Sequence, residues 1–496
     1  MMQEENPRTL PRVVVAGLGG GAGKTVVSLA LLLAARRLNR PVRAFKKGPD
    51  YIDAAWLTWA SDSPARNLDT YLMGFDTAVA SFARNAVPDG LNVVEGNRGV
   101  FDGMDVAGTH SSAALAKALA APVLLVLNVA KVTRTVAAYV LGAQKLDPDL
   151  NLSGVVLNYV NGRRHEQIVR DSIASVCDIP VVGVVPRLDV VGLVPERHLG
   201  LVTPEDYSGR EALQRTLLDD VVPGLDMDAV FRIAGAAPPL LTTVAPSLSL
   251  PGWKRQGGGF PVEPGAVLPD GSGLRIAYFR DSAFSFYYAE NLEALECSGA
   301  ELVAVSPLTA AALPADISAL YIGGGFPEVH ASALAANSGF LRSLHQSAQN
   351  GLPIYAECGG LMVLSRAIVW QGSSYPMAGV FPFQAHVCST AQGHGYAELL
   401  VDRANPFFPV GLSVRGHEFH YSRIALENGG VETACEVQRG KGIGQGRDGV
   451  IVKNVWAGYT HLHALATPEW TAGLLRAARQ FASPSQSGAM AMTERD

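Results

Sequence analysis

Residues 13–25 read VVVAGLGGGAGKT, and this stretch decides the fold of the first half of the chain. A short β-branched run enters a glycine-rich turn that ends in Lys24 and Thr25, and a helix-forming segment follows. In such a P-loop, backbone N–H groups bind phosphates, the lysine reaches the outer phosphates and the hydroxyl binds Mg²⁺. Leu18 departs from the strict motif, which has glycine there. The predicted ATP-binding residues are Gly19, Gly20, Gly21, Ala22, Gly23, Lys24 and Thr25.

On both sides of this loop, short apolar runs alternate with longer helix-forming stretches. The runs lie at 13–16, 42–45, 92–95, 123–127, 155–157 and 181–185, and again at 274–279, 301–305, 320–322 and 352–355. Continuous apolar strands separated by helices indicate parallel sheets covered on both faces, so we predict two doubly wound α/β domains. Residues 238–273 contain seven Pro and seven Gly, which neither a helix nor a central strand accepts. We therefore predict domains at 1–237 and 274–482, a linker at 238–273 and a tail at 483–496.

Composition excludes several classes of protein. The chain has 496 residues with 40 Lys plus Arg against 45 Asp plus Glu, and it lacks the basic stripe of a nucleic-acid-binding protein. Five widely spaced cysteines without a CxxC pair argue against a disulfide framework and favour a reducing cytoplasm. The longest apolar segments are broken by Lys117, Pro122 and Asn128, so we expect no membrane span. These observations predict a cytoplasmic protein with neither nucleic acid nor membrane as a partner.

Acidic residues follow two of the predicted strands. Asp50 closes a turn after the second strand, and Glu95 ends the third. Because the carboxyl ends of parallel strands meet at one edge of a sheet, these carboxylates can hold the metal of a P-loop nucleotide. We predict Thr25, Asp50 and Glu95 as ligands of Mg²⁺, with Asp53 and Asp102 as reserves. The alternative for each carboxylate is a helix cap or a solvated loop position.

A second site is predicted around residues 352–362, LPIYAECGGLM. An apolar strand turns sharply at Cys358 and enters a helix, which is the arrangement of a nucleophile elbow, and the helix N-terminus is expected to lower the pKa of the thiol. Upstream, Gly323, Gly324 and Gly325 form a turn whose N–H groups suit an oxyanion hole. Near the C-terminus, His461 is the candidate base.

Eight motifs in this order make the chain resemble the cobyrinic acid a,c-diamide synthase family. They are FKKGPDYID (45–53), EGNRGVFDG (95–103), PERHLGL (195–201), AFSFYYAEN (283–291), GGGFPE (323–328), AECGG (356–360), RGHEFHYS (415–422) and HLH (461–463). The resemblance covers nearly the whole chain. It implies an N-terminal domain similar to dethiobiotin-synthetase-like ligases and a C-terminal domain similar to class I glutamine amidotransferases.

The resemblance also implies a reaction and its residues. Cys358 and His461 would release ammonia from L-glutamine, and the P-loop domain would use ATP and Mg²⁺ to activate two acetate carboxylates, a and c, of a tetrapyrrole polycarboxylate. The usual triad has a Glu two residues after the His, where this chain has His463. Candidate cations for the substrate follow predicted strand ends: Lys46, Lys47, Arg98, Arg134, Arg197 and His198. A homodimer is compatible with this resemblance.

Two alternatives stay open from the sequence. Lys47 stands where an apolar residue is usual in the family, a change that resembles members that amidate sirohydrochlorin, nickel-sirohydrochlorin or sirohaem, the last linked to dissimilatory sulfite reductase. From another class, a partitioning or metal-loading ATPase would use the same P-loop as a nucleotide switch. Those ATPases carry a second lysine early in the loop, where this chain has Gly19.

Overall fold

A computed structural model of the chain describes residues 9–188, 196–197, 200–240, 269–425 and 431–483. The chain divides into two compact units, Met1–Pro261 and Val262–Asp496. Most of the predicted linker and all but the first residue of the predicted tail lie outside the described residues. The domain boundaries at 237, 273 and 482 stay predictions.

The first unit is built on a seven-stranded sheet in the order β3-β2-β4-β1-β5-β6-β7, in which every neighbouring pair is parallel. Its strands are β1 (Arg12–Gly17), β2 (Val42–Lys47), β3 (Arg66–Leu68), β4 (Leu91–Glu95), β5 (Val123–Asn128), β6 (Leu152–Val160) and β7 (Val181–Pro186). The chain changes direction across the sheet beside β1, and ligands of such sheets bind at that point. The P-loop directly follows β1.

Helices connect these strands, and many begin at a capping side chain. They are α1 (Lys24–Arg37), α2 (Tyr51–Ser61), α3 (Thr70–Asn85), α4 (Ser112–Ala118), α5 (Thr135–Leu146), α6 (Gly162–Ala174), α7 (Arg210–Thr216) and α8 (Met227–Gly235). A short hairpin, β8 (Glu196–Arg197) with β9 (Gly200–Leu201), precedes α7. The side chains of Asp50, Asp69, Ser111 and Asp226 accept backbone N–H groups at the starts of α2, α3, α4 and α8.

The second unit contains a ten-stranded sheet in the order β11-β10-β12-β13-β22-β21-β20-β17-β18-β23 and a four-stranded sheet in the order β15-β14-β16-β19. The strands are β10 (Arg275–Phe279), β11 (Glu301–Val305), β12 (Ala319–Ile322), β13 (Ile354–Glu357), β14 (Ala367–Trp370), β15 (Ser373–Pro376), β16 (Gln384–Val387), β17 (Gly393–Val401), β18 (Ser413–His420), β19 (Ser422–Ala425), β20 (Thr433–Arg439), β21 (Arg447–Val452), β22 (Val455–Gly458) and β23 (His461–Leu462). Its helices are α9 (Ala289–Cys297), α10 (Ala331–Ala336), α11 (Ser338–Gln349), α12 (Gly359–Leu364) and α13 (Pro468–Ala482).

The larger sheet is parallel in only one half. Strands β11, β10, β12, β13 and β22 are parallel, as expected for a doubly wound domain, whereas β21, β20, β17, β18 and β23 pair in antiparallel fashion. The α/β class is confirmed, and the antiparallel half is a difference from the prediction. These strands carry polar and half-exposed residues, so they do not show the continuous apolar runs from which the sheet was predicted.

In the part of the chain that the structure describes, we find no helix that is both long and apolar enough to cross a membrane.

Candidate active sites

The P-loop has the geometry expected from its sequence. Residues 18–23 link β1 to α1, and Gly23 takes φ 97° at the position before the helix. A side chain at Gly23 would collide with Asn158, whose Nδ2 donates to the carbonyl of Ala22 at 2.9 Å. By contrast, a Cβ at Gly19, Gly20 or Gly21 would meet nothing within 4 Å. The loop therefore leaves open space beside its backbone where a phosphate chain can lie.

Lys24 crosses this loop. Its Nζ donates to the carbonyl of Gly19 at 3.1 Å and to the carbonyl of Arg98 at 2.8 Å, and the residue is buried. Burial, followed by the positive charge of Lys46, lowers the pKa of Lys24 below its ordinary value. The ammonium is thus held over the loop by carbonyl oxygens, a position from which it can pair with phosphate oxygens.

Thr25 and Glu95 face each other at the start of α1. Thr25 Oγ1 donates to Glu95 Oε1 at 2.9 Å, while Glu95 Oε2 is buried and has no hydrogen-bond partner among the described residues. Burial raises the pKa of Glu95, which is fully buried. A hydroxyl beside an unpaired carboxylate oxygen fits Mg²⁺, which takes few protein ligands and fills its octahedron with water and nucleotide phosphates. The described residues contain no cluster of three or more His, Cys, Asp or Glu arranged for a metal.

Lys46 corrects a prediction. We expected it to bind substrate carboxylates, yet its Nζ lies 2.8 Å from Glu95 Oε1 and 2.5 Å from Asp53 Oδ2, and the residue is only 1% exposed. Burial alone would lower the pKa of Lys46, but Asp53 and Glu95 raise it above its ordinary value. An ammonium bound to two carboxylates inside the protein is not available to a substrate carboxylate.

Asp50 has the alternative role that the sequence left open. Its Oδ1 accepts the backbone N–H of Asp53 at 2.8 Å and caps α2. Burial, and next the charge of Asp53, raise the pKa of Asp50 to about 7. The cap uses one carboxylate oxygen, and the second oxygen is still able to serve as a metal ligand.

The other predicted cations differ in exposure. Lys47 ends β2 and is buried, and burial lowers its pKa. Arg98 follows β4 and Arg134 precedes α5, and both are exposed. Arg197 belongs to β8, but its side chain, like the whole of His198, lies outside the described residues. Lys47 at the end of β2, Arg98 after β4 and Arg134 after β5 therefore all lie at the carboxyl edge of the sheet, where the P-loop also lies.

The strand-to-helix turn predicted at Cys358 is present. Cys358 follows β13 and precedes α12 with φ 50° and ψ −99°, a strained conformation for a residue with a side chain. Its N–H donates to the carbonyl of Gly458 at 2.7 Å, which ties the turn to β22. A Cβ on the next residue, Gly359, would lie 3.1 Å from the backbone nitrogen of Gly325. The elbow and the glycine turn after β12 are therefore neighbours.

The thiol is not activated by its position alone. Burial, followed by the negative charge of Glu328, raises the pKa of Cys358 above its ordinary value, and the N–H of Gly359 lowers it only in part. The expected lowering by the helix N-terminus is thus wrong as the dominant effect, because α12 spans only Gly359–Leu364 and carboxylates surround the buried sulfur. Proton removal from Cys358 requires a base.

His461 lies against the same glycine turn. It begins β23, which pairs with β18, and a Cβ at Gly324 would lie only 2.6 Å from its Cε1. The carboxylate of buried Asp448 accepts the N–H groups of Tyr459 and Thr460, so the chain just before the imidazole is fixed. The structure therefore brings both His461 and the nucleophile elbow into contact distance of one glycine turn.

The turn itself corrects one predicted oxyanion donor. The N–H of Gly323 donates to Tyr287 Oη at 2.9 Å, so this amide is already engaged. Gly324 accepts a bond from Phe286 through its carbonyl, at 3.1 Å, and the Gly325 nitrogen faces the elbow. Gly324 and Gly325 stay candidates, and Gly323 does not.

One residue of this site escaped the sequence analysis. Glu357, directly before Cys358, is fully buried, and its Oε2 lies 3.4 Å from Nδ1 of His461. The signal was a carboxylate in an otherwise apolar strand, next to a predicted nucleophile. His463, which occupies the place of the usual third residue, instead turns its Nε2 to within 3.6 Å of Glu290.

Two family models match the chain. Residues 13–202 match the CobQ/CobB/MinD/ParA nucleotide binding domain, and residues 275–469 match the CobB/CobQ-like glutamine amidotransferase domain. The cobyrinate a,c-diamide synthase of Magnetococcus marinus is 38% identical over 97% of this chain and 100% of its own length. This chain belongs to the cobyrinate a,c-diamide synthase family.

Other members support the same assignment. The cobyrinate a,c-diamide synthase of Dehalococcoides mccartyi is 36% identical over 95% of this chain and 99% of its own, and that of Salmonella typhimurium is 35% identical over 94% and 98%. As a member of this family with a glutamine amidotransferase domain and a nucleotide-binding domain, the chain is a glutamine-dependent, amide-forming ligase that uses a nucleotide. A partitioning ATPase is thereby excluded, because its nucleotide switch needs no amidotransferase domain.

Proposed function

We propose that this chain converts the a and c acetate carboxylates of cobyrinate into amides, with ATP as the activating substrate and L-glutamine as the nitrogen donor. The observation that carries the proposal is the 38% identity to a cobyrinate a,c-diamide synthase over 97% of the chain, since it spans both candidate sites at once. The geometry of the two sites supports a division of labour between them.

The second unit would supply ammonia. His461 takes the proton from Cys358, and the thiolate attacks the side-chain carbonyl of glutamine. The N–H groups of Gly324 and Gly325 would stabilise the oxyanion of the tetrahedral intermediate. When the intermediate collapses, the C–N bond breaks, ammonia leaves with a proton from His461, and water then hydrolyses the thioester to glutamate.

The first unit would use this ammonia. A carboxylate resists attack by ammonia until one of its oxygens becomes a good leaving group. An oxygen of the substrate carboxylate attacks the γ-phosphorus of ATP, ADP leaves, and an acyl phosphate forms. Ammonia attacks the acyl carbon, and inorganic phosphate leaves with one former carboxylate oxygen. Lys24 would neutralise charge on the transferred phosphoryl group.

We also propose that the nucleotide binds together with Mg²⁺. Thr25 and Glu95 would hold the ion, with the free oxygen of Asp50 as a further ligand. When bound, the ion neutralises charge on the phosphates. Burial raises the pKa of Glu95, and the ammonium of Lys46, 2.8 Å from Oε1, opposes this rise and favours the ionised carboxylate that a cation site needs.

Lys47, Arg98 and Arg134 are the cations that we propose for the carboxylates of the macrocycle, with Arg197 and His198 as further candidates on the predicted motif. The three described residues lie at or just after the carboxyl ends of β2, β4 and β5, at the same edge of the sheet as the P-loop. Their spread along the edge suits a large polycarboxylate better than a small substrate.

A homodimer and a cytoplasmic location complete the proposal. Large apolar side chains are exposed on the outer helices of the first unit, namely Tyr139 and Leu146 on α5 and Ile168 on α6. Such residues suit an interface between copies. The five cysteines all lie among the described residues and form no disulfide there, which suits a reducing compartment.

The experiment is an incubation of the pure protein with ATP, glutamine and each of cobyrinate, sirohydrochlorin, nickel-sirohydrochlorin and sirohaem, followed by product mass spectrometry. Diamide formation on cobyrinate, faster than on the other macrocycles, is expected. A preference for a sirohydrochlorin-type ring would replace this proposal with the alternative that buried Lys47 favours. Amidation of none of them would overturn both.

A further inference from the structure

The carboxylate of Glu357 contacts both residues of β23, the strand that carries the candidate base. Its Oε1 accepts hydrogen bonds from the N–H of Leu462 at 3.0 Å and from Tyr355 Oη at 3.1 Å. Its Oε2 accepts a bond from Tyr321 Oη at 3.3 Å and lies 3.4 Å from Nδ1 of His461. The carboxylate is fully buried, so water does not screen it from the imidazole.

We propose that Glu357 is the positioning residue of His461: its carboxylate accepts a hydrogen bond from Nδ1–H, which keeps Nε2 unprotonated and able to take the proton of Cys358, and it stabilises the imidazolium that results. This inference rests on the proposed function and concerns only its glutamine-hydrolysing half. Glu357 does not touch glutamine in this account; it acts through the imidazole.

The two neighbouring histidines, His417 and His463, do not orient the imidazole of His461. Nδ1 of His463 accepts the N–H of Leu465 at 3.1 Å, and its Nε2 faces Glu290. His417 stacks on His461 with ring centroids 5.0 Å apart, and its Nδ1 lies 3.0 Å from the hydroxyl of Tyr288. Burial lowers the pKa of His417 well below its ordinary value, so this ring is neutral and adds no charge beside the base.

A neutral amide at position 357 cannot reproduce this arrangement. In Glu357→Gln, the amide oxygen is needed by the N–H of Leu462, because two donors cannot face each other. The amide NH₂ group then faces His461 and donates to Nδ1. The imidazole proton moves to Nε2, where it points to the nucleophile, and the ring cannot act as a base.

Glu357 also affects the thiol directly, and with the opposite sign. Burial is the largest cause that raises the pKa of Cys358, but the charge of Glu357 contributes in the same direction. Neutralising this carboxylate therefore has two opposite effects on Cys358. It lowers the pKa of the thiol directly, but it also prevents His461 from removing the proton of the thiol. The two effects can be separated by removing His461.

The experiment measures the rate at which iodoacetamide alkylates Cys358 in the full chain, followed on the Cys358 peptide by mass spectrometry. Four proteins are compared: wild type, Glu357→Gln, His461→Ala and the double variant. Glu357→Gln is expected to slow alkylation by about tenfold or more in the wild-type background. In the His461→Ala background the same substitution is expected to leave the rate equal or faster, because only the direct effect on the thiol is left.

A purely structural role gives a different pattern. If Glu357→Gln slows alkylation by the same factor in both backgrounds, or in neither, the inference is wrong. In steady-state assays, Glu357→Gln is expected to lower kcat for glutamine hydrolysis by roughly 10²-fold while KM for glutamine changes by less than about threefold. A large rise in KM with unchanged kcat would also overturn the inference.

Two controls keep the result interpretable. Amidation with ammonium salts is expected to be the same in Glu357→Gln and wild type, and a similar melting temperature confirms folding. If Glu357→Gln does not fold, Glu357→Asp replaces it in the single and the double variant. Aspartate keeps the charge but withdraws it from His461, so kcat of the single variant is expected to fall. If the wild type itself does not hydrolyse glutamine, the proposed function fails. An active wild type, an inactive His461→Ala and a fully active Glu357→Gln would reject only the role of Glu357.

Discussion

The ammonium of Lys46 lies 2.8 Å from Oε1 of Glu95, and both side chains are buried. The same ammonium contacts Asp53, so one cation neutralises two carboxylates next to the P-loop. Glu95 Oε1 accepts Thr25 as well, which leaves Oε2 for a metal. The pair lies inside the protein beside the P-loop residue Thr25, and its energetics can be tested apart from any substrate.

Lys46→Met is expected to destabilise the first unit by about 3–5 kcal/mol, because it leaves two carboxylates buried without their cation. Chemical denaturation, followed by a signal from the first unit, measures the change. Lys117→Met is the matched control: Lys117 pairs with Asp147 at 2.6 Å on the surface, and its loss is expected to cost about 1 kcal/mol or less. Equal effects of the two variants would contradict the role given to Lys46.

Cys358→Ala is expected to abolish amidation with glutamine and to retain amidation with high ammonium at alkaline pH, since only the release of ammonia needs the thiolate. Product formation from each nitrogen source is the measurement. Lys24→Ala is the reciprocal control: it is expected to lose amidation from both sources and to keep much of the glutamine hydrolysis. Loss of both activities in a folded Cys358→Ala protein would reject two separate sites.

Glu95→Gln is expected to raise the Mg²⁺ concentration needed for half-maximal amidation, because it removes a charge next to a dication and a triphosphate. Asp50→Asn is expected to raise it less, since one oxygen of Asp50 is already used to cap α2. Rates at saturating ATP are measured against Mg²⁺ concentration, with Lys24→Ala as the variant that extra Mg²⁺ does not rescue. An unchanged Mg²⁺ requirement in Glu95→Gln would remove that residue from the metal site.

Asp50 also makes stability depend on pH. Burial and then Asp53 raise its pKa from 3.8 to about 7, so between these values the folded state binds the proton more tightly and stability falls as the pH rises. Asp50→Asn removes this titration while an amide still caps α2. The melting temperature of the variant is expected to exceed that of wild type above pH 7 and to be close to it near pH 4.

The control for this pH dependence is Asp62→Asn, because the Asp62 side chain is 79% exposed. Its difference from wild type is expected to be small and the same at both pH values. An Asp50→Asn difference that does not grow as the pH rises would show that Asp50 is not held in the protonated form by burial.

The fold could be predicted wherever strands are buried on both faces. All six apolar runs chosen in the first half lie in strands. Strands such as β1 and β5 are buried along nearly their whole length, so their sequences are continuously apolar and easy to recognise. β3 was missed, since Arg66–Leu68 is three residues long and two of them are polar. The antiparallel strands β17 and β18 were missed because their mixed composition reflects one covered and one exposed face.

The sites were predictable where a motif fixes the backbone, as at the P-loop and at Cys358. The sequence could not assign charged side chains that follow strands, because their roles depend on which strands become neighbours. β2 lies beside β4, and this pairing places Lys46 against Glu95 rather than toward a substrate. In the same way, Glu357 and His461 are 104 residues apart in sequence, and they meet because β13 pairs with β22, which ends at Gly458 just before His461.

The central claim is that glutamine nitrogen replaces a carboxylate oxygen that leaves as phosphate. The most direct measurement uses glutamine labelled with nitrogen-15 in its amide and cobyrinate labelled with oxygen-18 in its carboxylates, with ATP and the wild-type protein. The account predicts a diamide that carries two nitrogen-15 atoms, and inorganic phosphate that carries one oxygen-18 atom per amide formed. Unlabelled phosphate, or oxygen-18 found instead in AMP, would contradict activation of the carboxylate by transfer of the γ-phosphoryl group.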